Sequence, residues 1–566
     1  MGINYVTALD LERTPQPLQE ANKWLADAWC SWVEQATSED QVLQMRLPVL
    51  AHAIAIDAAT LYRGFCTKVV YDKLHRGIVM EALRHQRVVP AAHGIACIWC
   101  GMSFASGCAI RLKPITACCR VLALDGGGVK GIIQLQVLQT IEKLTKLPIR
   151  LFFDLAIGTS VGGINALSIG FIQWPLDRCE KTFVEVAKKI FPRATTTAGR
   201  WCQKVAQLWR FPFKDGIYSP SGPVFRSIVG DARLRGPQAS LYGTRPCEQM
   251  NVAVTTIESK TRASRLLTTY TGPVNYDKNG KLASNTLVRE AAETTSAAPC
   301  LFPDKRVGGC ILYDGIEIPL SHVRSEVRRL FPAKESPDYI LSVGCGAATA
   351  APNTRLGCLS RLAHHQLTGM SGHQQYRKLC VAGGHSKIVR IDPVLEMEEV
   401  ALDDSSAVGR LISQMKRQLG IDAELWSTIK QTSWAMISAL FYFQLQNPPY
   451  VVGRHREVRC EGTIACRYED DAAIMKILAT EYRGLALLVD GKEYGLLPRG
   501  RAEVTFRVSS WSRRIDIRVK HSGKSASITG FPASIEEIYS LQQNQPLEMY
   551  VIQEPVMGSL SKAKRQ

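Results

Sequence analysis

Two glycine-rich turns, thirty-odd residues apart, each follow a short run with the composition of a buried strand. The first closes Val121-Leu-Ala-Leu124 and reads Asp125-Gly126-Gly127-Gly128-Val129-Lys130-Gly131. The second closes Phe152-Phe-Asp-Leu-Ala-Ile157 and reads Gly158-Thr159-Ser160-Val161-Gly162-Gly163. A G-x-S-x-G sequence forces a sharp strand-to-helix turn that lifts the serine hydroxyl clear of the sheet. Consecutive glycines upstream leave backbone N–H groups free of side-chain cover, where they can face a developing oxyanion. Two strand–turn–helix units so close together call for an α/β domain with a mostly parallel sheet. Their chemistry reads as a serine nucleophile and its oxyanion cradle.

Taken literally, Gly126-x-Gly128-x-x-Gly131 also matches a dinucleotide fingerprint, with Asp154 near the position of a ribose-binding acid. Context rejects that reading. Asp154 precedes its strand instead of ending it, and the serine elbow is left without a purpose.

Composition narrows the class further. A chain of 566 residues has room for two to four domains. Its formal charge of +18 favours anionic surfaces. No nucleic-acid-binding module accompanies that charge, so nucleic acid is not expected as a partner. The N-terminus, Met1-Gly-Ile-Asn-Tyr-Val6, lacks the charged and apolar regions of a signal peptide. The most apolar run, Trp434–Leu445, is too short to span a bilayer and contains Ser438 and Gln444. Seventeen cysteines, scattered without a framework spacing, suggest reduced thiols and a cytoplasmic protein.

Along the chain, residues 1–90 carry helical apolar periodicity, with Trp24, Ala28, Trp32 and Ala36 on one stripe. Residues 91–120 form a cysteine-rich linker. Its Cys97-Ile-Trp-Cys100 pair matches half of a zinc knuckle, with Cys118, Cys119, His93 or His85 as further ligands; the alternative is a pair of ordinary buried thiols. Residues 121–350 alternate strands and helices: helices over 131–145, 161–171 and 176–190, and strands over 155–158, 251–257 and 339–343. Residues 351–449 read as a helical extension, with helices over 402–419 and 427–446. Residues 450–553 read as a separate antiparallel β module, because 486–489, 502–508 and 514–520 have strand character, the latter two alternating strictly. Residues 554–566 form a basic tail.

The combination of turns resembles the patatin-like phospholipase family. The segments that carry the resemblance are Asp125–Gly131, Gly158–Gly163, Thr295-Ser-Ala-Ala-Pro-Cys-Leu-Phe-Pro303, Tyr313-Asp314-Gly315 and Leu341-Ser-Val-Gly-Cys-Gly346, so it covers about 121–346. The flanking regions look like those around fungal members. The resemblance implies a three-layer α/β/α domain and a Ser–Asp dyad, with Ser160 as nucleophile and Asp314 as general base. Gly126, Gly127 and Gly128 would supply the oxyanion hole, and Gly158 and Gly162 the glycines of the nucleophile elbow. It also implies a calcium-independent phospholipase A or lipid acyl hydrolase. Such an enzyme works through an acyl-serine intermediate, needs no cofactor, and acts on membrane or lipid-droplet glycerolipids as a peripheral membrane protein.

The chain departs from the family pattern at several positions. Ile316 follows Asp314-Gly315 where Gly or Ala is usual, Glu293 stands where many relatives have Arg, Pro319 alone remains of an Asn-Pro pair, and Lys130 replaces the commoner Arg. Spoiled turnover at Ile316 and Glu293 would leave a lipid-binding or scaffold protein on the same fold, and that is the rival expectation. His322, eight residues beyond Asp314, is expected to face solvent and take no part. Trp201, Trp209, Phe211 and Phe213 interleave with Lys204, Arg210 and Lys214, so 201–214 reads either as an interfacial lid or as core.

Overall fold

A computed structural model describes residues 117, 119–191, 222–230, 250–269, 286–298, 301–307, 309–315, 319–330, 337–348, 376, 388–452, 457–469, 471–495 and 500–543. Its centre is an eight-stranded sheet. Five strands run parallel: β1 (Arg120–Leu124), β2 (Leu155–Thr159), β3 (Asn251–Glu258), β7 (Tyr339–Val343) and β8 (Ile388–Ile391). Beyond β3 the sheet turns antiparallel through β4 (Ser264–Thr268), β5 (Lys305–Val307) and β6 (Cys310–Asp314), giving the order β5-β6-β3-β2-β1-β7-β8 with β4 paired to β3.

The period of two along these strands explains the layering. Leu122, Leu124, Ala156, Val252, Val254, Leu341 and Val343 point into one core. Their neighbours Val121, Ala123, Leu155, Ile157, Ala253 and Ile340 point into another. Strands buried on both faces read as continuous apolar runs and need helices above and below. The first face is covered by α1 (Ile132–Thr145), which packs against α3 (Leu176–Ile190), α7 (Val408–Ile421) and α8 (Ala423–Ser438). On the second face, Leu320, Val323 and Val327 come from a short 3₁₀ turn and from α6 (Val323–Leu330). The expected three-layer α/β/α domain with a mostly parallel sheet is what the chain forms.

Two helical expectations change. The helix expected over 161–171 is α-helical only as α2 (Val161–Ala166) and continues as a π turn, Leu167–Phe171. The helix expected over 427–446 stops at Ser438, and Phe441-Tyr-Phe-Gln-Leu445 forms β9. Aromatic residues flanked by tight turns favour the pleated surface, and a short apolar run cannot be told from a helix by periodicity alone. The stretch expected to be a helical extension, 351–449, therefore also contributes β8 to the main sheet and β9 to a second one.

Among the described residues, the chain after 449 is rich in strands. β9 pairs with β11 (Glu457–Cys466), which also holds β10 (Tyr450–Val452) and β14 (Arg501–Val508). A further sheet runs β13-β12-β15-β16, over Lys492–Gly495, Ala486–Val489, Ile517–His521 and Lys524–Ser527. These sheets are fastened to the main domain. Tyr468 OH donates to Leu151 O at 2.7 Å, Tyr482 OH to Thr145 O at 3.0 Å, and Gly530 N to Asp338 Oδ1 at 3.1 Å. Beneath them a buried Asp154 meets Arg120 at 3.0 Å and Arg467 at 3.8 Å. The expected N-terminal helices, cysteine-rich linker, segment 201–214 and basic tail fall outside the described residues, apart from Ala117, Cys119 and Arg120.

Candidate active site

All the parallel strands end at the same edge, where open α/β sheets bind their ligands. Strand order reverses between β1 and β7, so the glycine turn after β1 leaves the sheet at the switch point. The elbow after β2 lies beside it.

Register brings the candidate pair together. Thr159, the last residue of β2, lies opposite Thr255 of β3, and the next β3 residue, Thr256, lies opposite Asp314 of β6. Ser160 and Asp314 thus flank one central strand at the same level. Ser160 has φ 54° and ψ −124°, a left-handed conformation costly for a residue with a Cβ. Two contacts hold it there. Its N–H donates to Thr295 Oγ1 at 3.0 Å, and that hydroxyl donates on to Thr255 O at 2.9 Å. The elbow also needs Gly162, since a Cβ there would lie 2.2 Å from Leu124 O.

The Ser160 hydroxyl acts on the Asp314 carboxyl as a hydrogen-bond donor and lowers its pKa. Asp314 is 1% exposed, on the terminal residue of β6, and its own N–H donates to Ala297 O at 3.0 Å. Burial pushes its pKa well above the carboxylate range, and the bond from Ser160 opposes that shift. A carboxylate so desolvated is a stronger base than one in water. His322 lies elsewhere: half-buried, with Nε2 3.0 Å from Ser264 Oγ.

Gly126 is exposed, and Gly127 and Gly128 are half-buried, in the turn facing the elbow. A Cβ on Gly126 would sit 3.2 Å from the Cβ of Ser160, so the turn and the nucleophile are in near contact. Gly128 has φ +55°, and a Cβ there would meet Leu402 O at 2.2 Å; the fold admits only glycine. Lys130 pairs with Glu399 at 2.7 Å. Glu293 is also engaged, held by Lys305 at 2.6 Å and Arg289 at 3.9 Å. Ile316 and the cysteines Cys97 and Cys100 lie outside the described residues. Among the described residues no group of His, Cys, Asp and Glu could hold a metal ion.

Beside the nucleophile opens an apolar cleft enclosing roughly 690 Å³, solvent at its mouth included. Val161 and Ile164 line it next to Ser160, and the π turn, α3 and α4 (Gly222–Val229) supply Leu167, Phe183 and Phe225. Sequence reasoning missed this cleft, and gave Thr295 no role although its motif had been singled out.

Comparison with known proteins agrees with this architecture. The family model "Patatin-like phospholipase" matches residues 122–316. "Phospholipase A I" of Arabidopsis thaliana is 37% identical over 94 residues, which is 16% of this chain and 7% of that protein. "Calcium-independent phospholipase A2-gamma" of Rattus norvegicus is 40% identical over 72 residues, 13% of this chain and 9% of that protein. "cGAMP-activated phospholipase" of Vibrio cholerae is 26% identical over 327 residues, 51% of this chain and 86% of that protein. The first two alignments thus span under a tenth of those relatives. The chain carries a patatin-like phospholipase domain.

Proposed function

We propose that this patatin-like domain hydrolyses acyl esters of glycerolipids through a Ser160–Asp314 dyad. The observation that carries the reading is the strand register that sets Ser160 and the buried Asp314 on either side of β3, beside an open glycine turn. Asp314 takes the hydroxyl proton as Ser160 Oγ bonds to the ester carbonyl carbon. Negative charge then gathers on the carbonyl oxygen, opposite the N–H groups of Gly126, Gly127 and Gly128. Collapse of that intermediate breaks the ester C–O bond, and Asp314 returns the proton to the departing alcohol. Water, deprotonated by the same carboxylate, then releases the fatty acid from acyl-Ser160. The apolar cleft beside Val161 accepts the acyl chain. Every step uses groups of this chain, consistent with a calcium-independent reaction that needs no cofactor.

The enzyme works as a peripheral protein on anionic glycerolipid surfaces in the cytoplasm. Its net charge of +18 supports this, since each Lys or Arg near an anionic membrane adds about 1 kcal/mol. No helix among the described residues is long and apolar enough to cross a membrane. The test is fatty-acid release from phospholipid vesicles with calcium chelated, comparing wild type with Ser160→Ala, beside labelling by a fluorophosphonate. Release and labelling confined to the wild type are expected. Equal release by the variant overturns the reading.

A further inference from the structure

We infer that Arg390 is a positioning residue for the oxyanion turn: gripped by Asp125, Asp392 and Ser342, it holds the Gly126–Gly128 backbone where the tetrahedral oxyanion forms. The inference rests on the reading of Ser160 and the glycine turn given above.

Arg390 lies on β8, outside residues 122–316, and its side chain is 4% exposed. Nη2 lies 2.7 Å from Asp125 Oδ2 and 2.7 Å from Asp392 Oδ2, and Nη1 donates to Ser342 Oγ at 2.8 Å. Asp125 is the residue through which β1 becomes the turn, so its orientation sets the direction in which Gly126 and Gly127 leave the sheet. Its main chain is held by nearer elements: N–H to Val343 O at 3.2 Å, and C=O accepting from Gln134 Nε2 at 2.8 Å and Cys345 Sγ at 3.4 Å. The carboxylate reaches across to β8.

The segment after β8 grips the far end of the same turn. Val129 N donates to Leu402 O at 2.8 Å, and Lys130 is paired to Glu399. Asp392 in turn accepts from Gly346 N at 3.0 Å, tying the loop after β7 into the frame. A planar guanidinium can bond several partners in fixed directions, which an ammonium on a flexible stem cannot. Because Asp125 is buried and Asp392 half-buried, removing the positive charge leaves two carboxylates facing each other without a counter-charge, and one of them must move or take up a proton. Misplacement by about 1 Å near reacting atoms can lower a rate by about 10².

The test compares Arg390→Lys and Ser342→Ala with wild type on a soluble short-chain ester and on its thionoester, in which C=S replaces C=O. Sulfur is a weak hydrogen-bond acceptor, so the oxo/thiono ratio of kcat reports the oxyanion donors. Arg390→Lys is expected to lower kcat on the oxoester by roughly 10- to 100-fold with KM little changed, and to compress the ratio by a similar factor. Ser342→Ala, which removes one of the three grips and keeps the strand, should do the same by a few-fold. Wild-type values of the ratio in Ser342→Ala, or in an Arg390→Lys protein that still melts cooperatively, overturn the inference, whatever happens to total activity. Ser160→Ala on the same substrates separates the two readings. If it keeps its activity, the nucleophile assignment fails; if it is dead while the Arg390 ratio is unmoved, only the positioning role fails.

Discussion

Thr295 accepts the backbone N–H of Ser160 at 3.0 Å. A fully buried hydroxyl thereby pins the strained residue that carries the nucleophile, and passes the restraint on to Thr255 O. Thr295→Val keeps the shape and removes both bonds. It should cost about 1–3 kcal/mol of stability, because a buried N–H is left unmatched. It should also lower kcat roughly tenfold through a loosened elbow. Thermal unfolding and ester kinetics check the two effects together; unchanged kcat would show that the elbow is held by the surrounding backbone alone.

Ser160→Ala is expected to abolish hydrolysis while leaving the melting transition near that of wild type, since one hydroxyl at a half-buried turn contributes little packing. Asp314→Asn keeps the shape but not the base, and should be nearly as damaging. The double variant should lose little beyond the worse single one, as groups acting together are non-additive. Additive losses would mean that the two residues act independently.

The pH dependence has a definite sign. Asp314 must be ionised to accept a proton, and burial raises its pKa well above the usual value despite the opposing bond from Ser160. The rate kcat/KM should therefore rise with pH along a limb centred above the ordinary carboxylate range, near ~4. Stability moves the other way. Between the unfolded and folded pKa values the unfolded chain sheds the proton first, so this residue's contribution falls as pH rises. Asp314→Asn should remove that component; an acid limb at the ordinary carboxylate value would rule out a desolvated base.

Ile164 lines the apolar cleft one helical turn from Ser160. Ile164→Trp should block long acyl chains there and spare acetyl esters, lowering kcat/KM for long-chain relative to short-chain substrates by about tenfold or more, since each excluded methylene is worth about 1–3 kcal/mol. A uniform fall across chain lengths would put the acyl group elsewhere.

His322→Ala should leave activity near normal, because its ring meets Ser264 and belongs to the 3₁₀ turn before α6. A loss matching that of Ser160→Ala would replace the dyad by a triad.

Much of this site was legible because its signals are local. The turns at Asp125–Gly131 and Gly158–Gly163 announce themselves in a few residues. Asp314 could be singled out only through its Tyr-Asp-Gly context. What stayed hidden depends on distant pairing. Arg390 meets Asp125 across 265 positions of sequence, and no periodicity marks either residue as the other's partner. Phe441–Leu445 was mistaken for helix because what makes it a strand is β11, whose residues come later in the chain.

Tyr468 and Tyr482 reach back 317 and 337 positions to carbonyls at Leu151 and Thr145. These bonds bear on inheritance. A recombination event that moved only residues 122–316 would deliver both glycine turns without β7, the strand next to β1, and without any tyrosine to meet those carbonyls. A segment able to keep these contacts must therefore be longer than residues 122–316, reaching at least from Arg120 to Thr529, whose side chain bonds Arg467 beneath the same seam.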